Sequence, residues 1–274
     1  MDEMYNNMAD GLTGLEKDIV KIIETVKALP FGDYSEGSMS GVATTAKVFA
    51  TSLESIALTL LIFFFFYEFL KKTVMFEFVN WENVVKILLR FFIAKLVVQN
   101  CYAILEVIAI VMNGVLGLIG DPKNIKSILS PEEHAKLAGE YAKAGFWDGP
   151  FVFLKMAIAW FIVLIIRIVV VFVVIGRFLE IAIYTAIAPI PLSTIAGEST
   201  SSIAISFIKG YIAVLLQGVI IVAMCCLYVS MAQAFGGTTF TGMFGNLITY
   251  LICSAVLLFT VLKSGNWAKQ IMGA

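Results

Sequence analysis

The chain has 274 residues, 60% of them hydrophobic and 14% charged, with a mean hydropathy of +0.93 and a net charge of -1. A charged share so far below the quarter usual in soluble domains excludes a water-soluble globular protein and points to a polytopic membrane protein. The near-neutral balance gives no bulk basic field for nucleic acid, although local charge still counts.

Reactive chemistry is sparse. There is no G-x-x-x-x-G-K-[ST] phosphate loop, no Ser/His/Asp arrangement and no Cys/His cluster, so an enzyme is not expected, nor a cofactor or a metal. His134 stands beside Glu132 and Glu133 without further ligands and reads as solvated. Cys101, Cys225, Cys226 and Cys253 all fall in apolar runs and read as small packing residues rather than a disulfide framework. The polar start MDEMYNNMAD lacks the basic front and apolar core of a cleavable signal.

In chain order, residues 1–48 form an N-terminal region with an amphipathic helix over Thr13–Leu29. Its apolar stripe is Leu15, Ile19, Ile22, Ile23, Val26 and Leu29. Thr13 and Glu16 make a capping box and Pro30 closes the helix. The stripe must be buried against a membrane surface, a neighbouring subunit or the rest of the fold.

Residues 49–119 hold the first two spans. The first runs from about Phe49 to Leu70, and Lys71 and Lys72 place its end in the cytoplasm. The N-terminal region, with eight acids against three lysines up to Glu36, then lies outside. From Trp81 the apolar pattern continues to Ile119, about 58 Å if helical and nearly twice a bilayer core. Glu82, Lys86 and Arg90 recur on one face with Lys95 beyond, so Trp81–Lys95 is predicted as an interfacial helix and Leu96–Ile119 as the second span.

Residues 120–149 are a hydrophilic loop with helix-start signals at Ser130, Pro131 and Glu133. Lys123, Lys126, Lys136 and Lys143 are balanced there by five acids, which argues for a solvated extracytoplasmic helix over a basic nucleic-acid patch.

Residues 150–274 form the C-terminal membrane part. The third span, Phe151–Ile175, carries Arg167 and ends at Arg177, predicted as the cytoplasmic end. Glu106 and Arg167 fall at similar depths, about 15 Å and about 12 Å from the inner edge by helical rise. An unpaired charge at that depth is costly, which makes them a candidate intramembrane pair.

The stretch 176–209 is the most distinctive. Pro189 and Pro191 lack N–H groups and disfavour helix at Ala188 and Ile190, so the chain is expected to break there. The preceding Phe178–Ala188 is too short to span by itself. Such a break sits at an interface, or is re-entrant and covered by protein or water. Arg177, Glu180 and Lys209 bracket it. Taken as non-spanning, it leaves a fourth span at about Gly210–Ala234, the turn Phe235-Gly-Gly-Thr-Thr, and a fifth at about Met243–Leu262. Lys263 and Lys269 then lie in the cytoplasm.

An outside N-terminal helix, five spans, a central outside loop, a cytoplasmic C-terminus and an APIPLS break before FIKGYIAVLLQG together resemble the TrbL-type family. These are polytopic membrane subunits of type IV secretion and conjugation machines. The layout covers the whole chain, and the residue-level likeness is concentrated in Ile187–Gly218. The resemblance implies a channel or scaffold subunit of the bacterial cytoplasmic membrane that helps DNA and protein cross. It would work with other machine subunits, including ATPases on separate chains, and its loop 120–149 would lie near the substrate. Five helices hardly enclose a path for a polymer, so a homo-oligomer is expected. The competing reading is a small-solute or ion transporter with a broken-helix site, against which stand the lack of an inverted repeat and the single broken segment.

Overall fold

A computed structural model of the chain describes residues 20–26, 40–74, 81–119, 149–235 and 245–273. The secondary structure of the described residues is all helical. Among the described residues five helices are long and apolar enough to cross a membrane: Gly41–Val74, Cys101–Ile119, Ala157–Ile187, Ser201–Tyr228 and Leu251–Met272. The Thr13 capping box, the lysines and helix start of loop 120–149, and the turn after Phe235 lie outside the described residues.

In chain order the helices are α1 (20–26), α2 (Ser40–Val74), α3 (Trp81–Gln99), α4 (Cys101–Ile119), α5 (Gly149–Ile187), α6 (Pro189–Ser193), α7 (Ser201–Phe235) and α8 (Gly245–Met272). A 3-10 turn, Thr194–Ala196, follows α6. Phe63, Phe66, Phe92 and Phe172 are all exposed by more than half, a surface that water would penalise and lipid would not.

The chain divides into two compact units. The first draws on Met1–Ala28, Val115–Ile175 and Gly218–Gly265. In it Ile22, Ile23 and Val26 of α1 are buried, as the stripe requires. The Tyr228 and Ser254 hydroxyls meet at 3.0 Å between α7 and α8. Cys225 and Cys253 are buried, and all four cysteines of the chain are free thiols.

The second unit draws on Leu29–Gly114, Gly176–Gln217 and Asn266–Ala274. Its core gathers Ala57 and Leu61 of α2, Ala94 and Val98 of α3, Cys101, Leu105 and Ala109 of α4, and Ile181 of α5. Leu192, Tyr211, Val214 and Leu215 join them from α6 and α7. Phe65 stacks on Phe91 at 4.6 Å and Lys47 lies over the Tyr102 ring at 5.1 Å, so α2 runs antiparallel to α3 and α4.

Trp81–Ile119 is two helices rather than one span, but their joint falls at Asn100, not Lys95. The Asn100 N–H and its side-chain amide both donate to the Leu96 carbonyl, at 3.0 and 2.9 Å, while Ile104 N–H donates to Asn100 O at 3.0 Å. A side-chain amide that competes for the backbone loosens the helix there without reversing it. The helix α3 also uses one face for protein: Ile87, Ala94 and Val98 are buried.

Two expectations around the prolines are corrected. The helix that holds the third span does not end near Ile175; α5 is continuous for 39 residues to Ile187. A lone glycine such as Gly176 costs a helix about 1 kcal/mol, too little to end one. Nor is Ala188 driven from the helical region; it sits at φ -50°, ψ -40°. The pre-proline preference is a modest steric bias, and close packing of the following turn overrides it.

Candidate functional site

The two prolines start a helix. Pro189 and Pro191 occupy the first and third positions of α6, where backbone N–H groups have no intrahelical partner to lose. Hydroxyls close the turn onto itself: Ser193 Oγ donates to Ile190 O and Thr194 Oγ1 to Pro191 O, each at 2.7 Å. The helical path ends at Gly197, which is extended at φ -95°, ψ 139°. Thr200 Oγ1 then reaches back to Thr194 O at 2.9 Å, and α7 begins at Ser201. A Cβ at Gly197 would lie 2.5 Å from Thr200 Oγ1, so this close approach requires glycine.

Pro189, Leu192, Ser193, Thr194 and Ala196 are buried, and both α6 and the 3-10 turn pack on α2 and α3. The irregular backbone is thus covered by protein, one of the conditions under which it survives at membrane depth.

Beyond this covered turn lies a polar clamp. Glu68 of α2 is only 3% exposed, and Ser199 Oγ donates to its Oε2 at 3.2 Å. One turn on, Lys72 Nζ donates to Glu198 Oε2 at 2.8 Å, and Arg90 Nη1 of α3 lies 3.6 Å from the same oxygen. The Lys72 hydrogen bond and charge, with lesser help from Arg90 and Lys71, hold the Glu198 carboxyl below the usual glutamate range. A groove of about 530 Å³ opens beside it, walled by Lys72, Asn83, Lys86, Arg90 and Glu198 and by apolar residues of α3.

Arg177 departs from its expected place. It is not a charge at a cytoplasmic helix end but lies ten residues, about 15 Å, before the end of α5. It is 2% exposed. Nε donates to Val214 O at 3.1 Å and Nη2 to Leu215 O at 3.3 Å, while Nη1 has no hydrogen-bond partner among the described residues. A charge this deep in a packed helix pair takes what acceptors the neighbouring backbone offers. Nearer the turn, the Tyr184 ring lies 5.4 Å from Phe207, and Tyr211 Oη donates to Leu105 O at 3.1 Å. Gly210 lets α5 and α7 approach, since a Cβ there would lie 2.9 Å from Tyr184 Oη.

Glu180 is half-buried, whereas Lys209 is exposed and neighbours Gly273 near the chain end. Glu106 and Arg167 are both half-buried, but one belongs to the second unit and the other to the first. Sequence reasoning missed Glu68, Lys72, Arg90, Glu198 and Ser199 as a group. The available signal was Glu68, an acid inside the apolar run FFFFYEFL, which had to face protein.

Apolar helices of spanning length, a lipid-compatible exterior and a protein-covered break define a multi-pass α-helical membrane protein. The model of the TrbL/VirB6 plasmid conjugal transfer like protein family matches residues 33–189, and the chain belongs to that family. The match ends at Pro189, so most of the Ile187–Gly218 likeness lies beyond it. No curated protein and no solved structure matches the chain.

Proposed function

We propose that the chain is a non-enzymatic channel or scaffold subunit of a conjugative type IV secretion system, helping DNA and protein cross the bacterial cytoplasmic membrane. Membership of the conjugal transfer family carries this reading. The subunit works as a homo-oligomer with other machine subunits, energy coming from ATPases on separate chains. Its N-terminus is outside and its C-terminus cytoplasmic. The Lys72–Glu198 ion pair supports that topology, since it joins the lysine-marked end of the first span to the turn after the prolines.

Loop 120–149, with Lys123, Lys126, Lys136 and Lys143, lies near the substrate in this reading, and Glu106 pairs with Arg167 within one subunit or between neighbours. Formaldehyde crosslinking of transferring DNA, followed by recovery of the chain, tests the channel role. Recovered substrate DNA is expected, and a chain required for transfer that never crosslinks is a scaffold only. Single cysteines across 178–209 in a cysteine-free background test the topology: labelling from the cytoplasm at both ends is expected, and labelling of 198–202 from outside overturns it. Rescue of neutral Glu106 and Arg167 variants by a charge swap tests the pair, and no rescue counts against it.

A further inference from the structure

The groove beside Glu198 has two kinds of wall. Lys72, Lys86, Arg90 and Asn83 line one part; Ile87, Leu89, Ile93 and Ile195 line the other. Of the three cations Lys72 is the one held by Glu198 at hydrogen-bond distance, its side chain 18% exposed. Arg90 meets that carboxylate at the looser 3.6 Å, and Lys86 pairs within its own helix with the exposed Glu82 at 2.7 Å. One carboxylate oxygen therefore serves two cations, and among the described residues three cations and one acid line the groove. Among the described residues the remaining nearby charges are Lys71, the buried Glu68, which accepts from Ser199, and Glu82, which is paired with Lys86.

The groove also lies at the end of the first candidate span, and exposed Trp81 begins α3, the helix that supplies most of its wall. A basic wall beside an apolar one at the end of a span suits a phospholipid, with phosphate among the cations and acyl chain along Leu89 and Ile93. We propose that this groove binds a phosphate-bearing anionic group, supplied by the headgroup of an anionic phospholipid. Glu198 acts there as an internal competitor that holds Lys72 and Arg90 in place until phosphate engages them. Nothing in this depends on whether the chain conducts DNA.

The test uses the full chain in detergent, titrated with dioctanoyl phosphatidylglycerol and, separately, dioctanoyl phosphatidylcholine, with bound lipid read by native mass spectrometry. Phosphatidylglycerol is expected to bind in preference to phosphatidylcholine. The double variant K86Q/R90Q is expected to lose affinity by about 25-fold, roughly five-fold for each cation removed. E198Q is expected to bind phosphatidylglycerol more tightly than the wild type. Competition by inorganic phosphate would show that phosphate alone suffices; no competition would assign the site to the lipid, with its chain contacts.

Equal uptake of the two lipids overturns the proposal. So does unchanged affinity in K86Q/R90Q with its melting temperature intact, or weaker binding in E198Q. A clamp serving stability alone would move the melting temperature of E198Q and leave lipid preference untouched.

Discussion

Arg177 stands inside one helical hairpin and Glu198 at its turn, and they are satisfied in opposite ways. Arg177 lies inside the α5–α7 pair and takes two backbone carbonyls of α7, with no acid among its hydrogen-bond partners. Glu198 stands on the turn, 57% exposed at its side chain, and takes two cations from α2 and α3. The difference lies in the surroundings. A buried cation must be fitted by volume and by whatever acceptors a helix can share, whereas an exposed carboxylate recruits flexible ions and is screened by solvent. The inner end should therefore carry most of the stability and the outer end most of the response to conditions.

The largest expected effect tests the inner end. Arg177→Ala leaves a cavity and should destabilise the chain by about 2–4 kcal/mol, read as a lowered melting temperature in detergent. Arg177→Met keeps the volume and drops the charge, and it should cost less than about 1.5 kcal/mol, because the carbonyls of Val214 and Leu215 keep helical donors. If Met proves as damaging as Ala, the charge matters more than the packing, and the contrast with Glu198 narrows.

A smaller effect is expected at the contact of the two helices. Gly210→Val would drive a branched side chain into Tyr184 and should cost about 1–3 kcal/mol; a neutral result would mean that α5 and α7 separate easily. Next, Tyr211→Phe removes the hydroxyl that reaches Leu105 O and should cost about 1 kcal/mol or less, visible by hydrogen exchange in α4.

The smallest effect is at the turn. Glu198→Gln should cost under about 1 kcal/mol, as exposed ion pairs do. Its pH dependence carries more information. The folded carboxyl is held below its usual range, so its contribution is complete above the unfolded value, about 4.3, and fades as pH falls through the lower folded value. Melting curves of wild type and E198Q should differ near neutrality, begin to approach each other below about pH 4.3 and converge only below the lowered folded value. A difference that persists in acid would assign the clamp's effect to something other than charge.

How much of this was legible beforehand depends on range. The two helices within Trp81–Ile119 followed from length, since 39 residues of apolar pattern exceed a bilayer; the joint at Asn100 did not, because it depends on one amide choosing the Leu96 carbonyl. The burial of Ile22, Ile23 and Val26 followed from periodicity. Proline chemistry correctly marked where α5 ends, at Ile187, but not that Ala188 keeps helical angles. A proline at a first helical position is compatible with continuing the path, and the chain turns at Gly197 instead.

Arg177 shows the same limit for charge. Beside a long apolar run it carried the signature of a cytoplasmic flank, and the positive-inside rule has no term for a cation whose acceptors lie nearly 40 residues later in the chain. Glu68, Lys72, Arg90 and Glu198 come from three separate stretches, and no local pattern links them.

By itself the sequence determined the membrane class, five apolar helices of spanning length and a disturbance near residue 190. Those depend on composition, helical rise and the missing proline N–H, which act over a few residues. Only the tertiary structure decided that the disturbance is a buried proline-capped turn, that Arg177 lies inside the fold, and that four distant charged residues meet at one clamp. Burial and pairing depend on which helices come together, and that is a property of the packed chain rather than of any window along it.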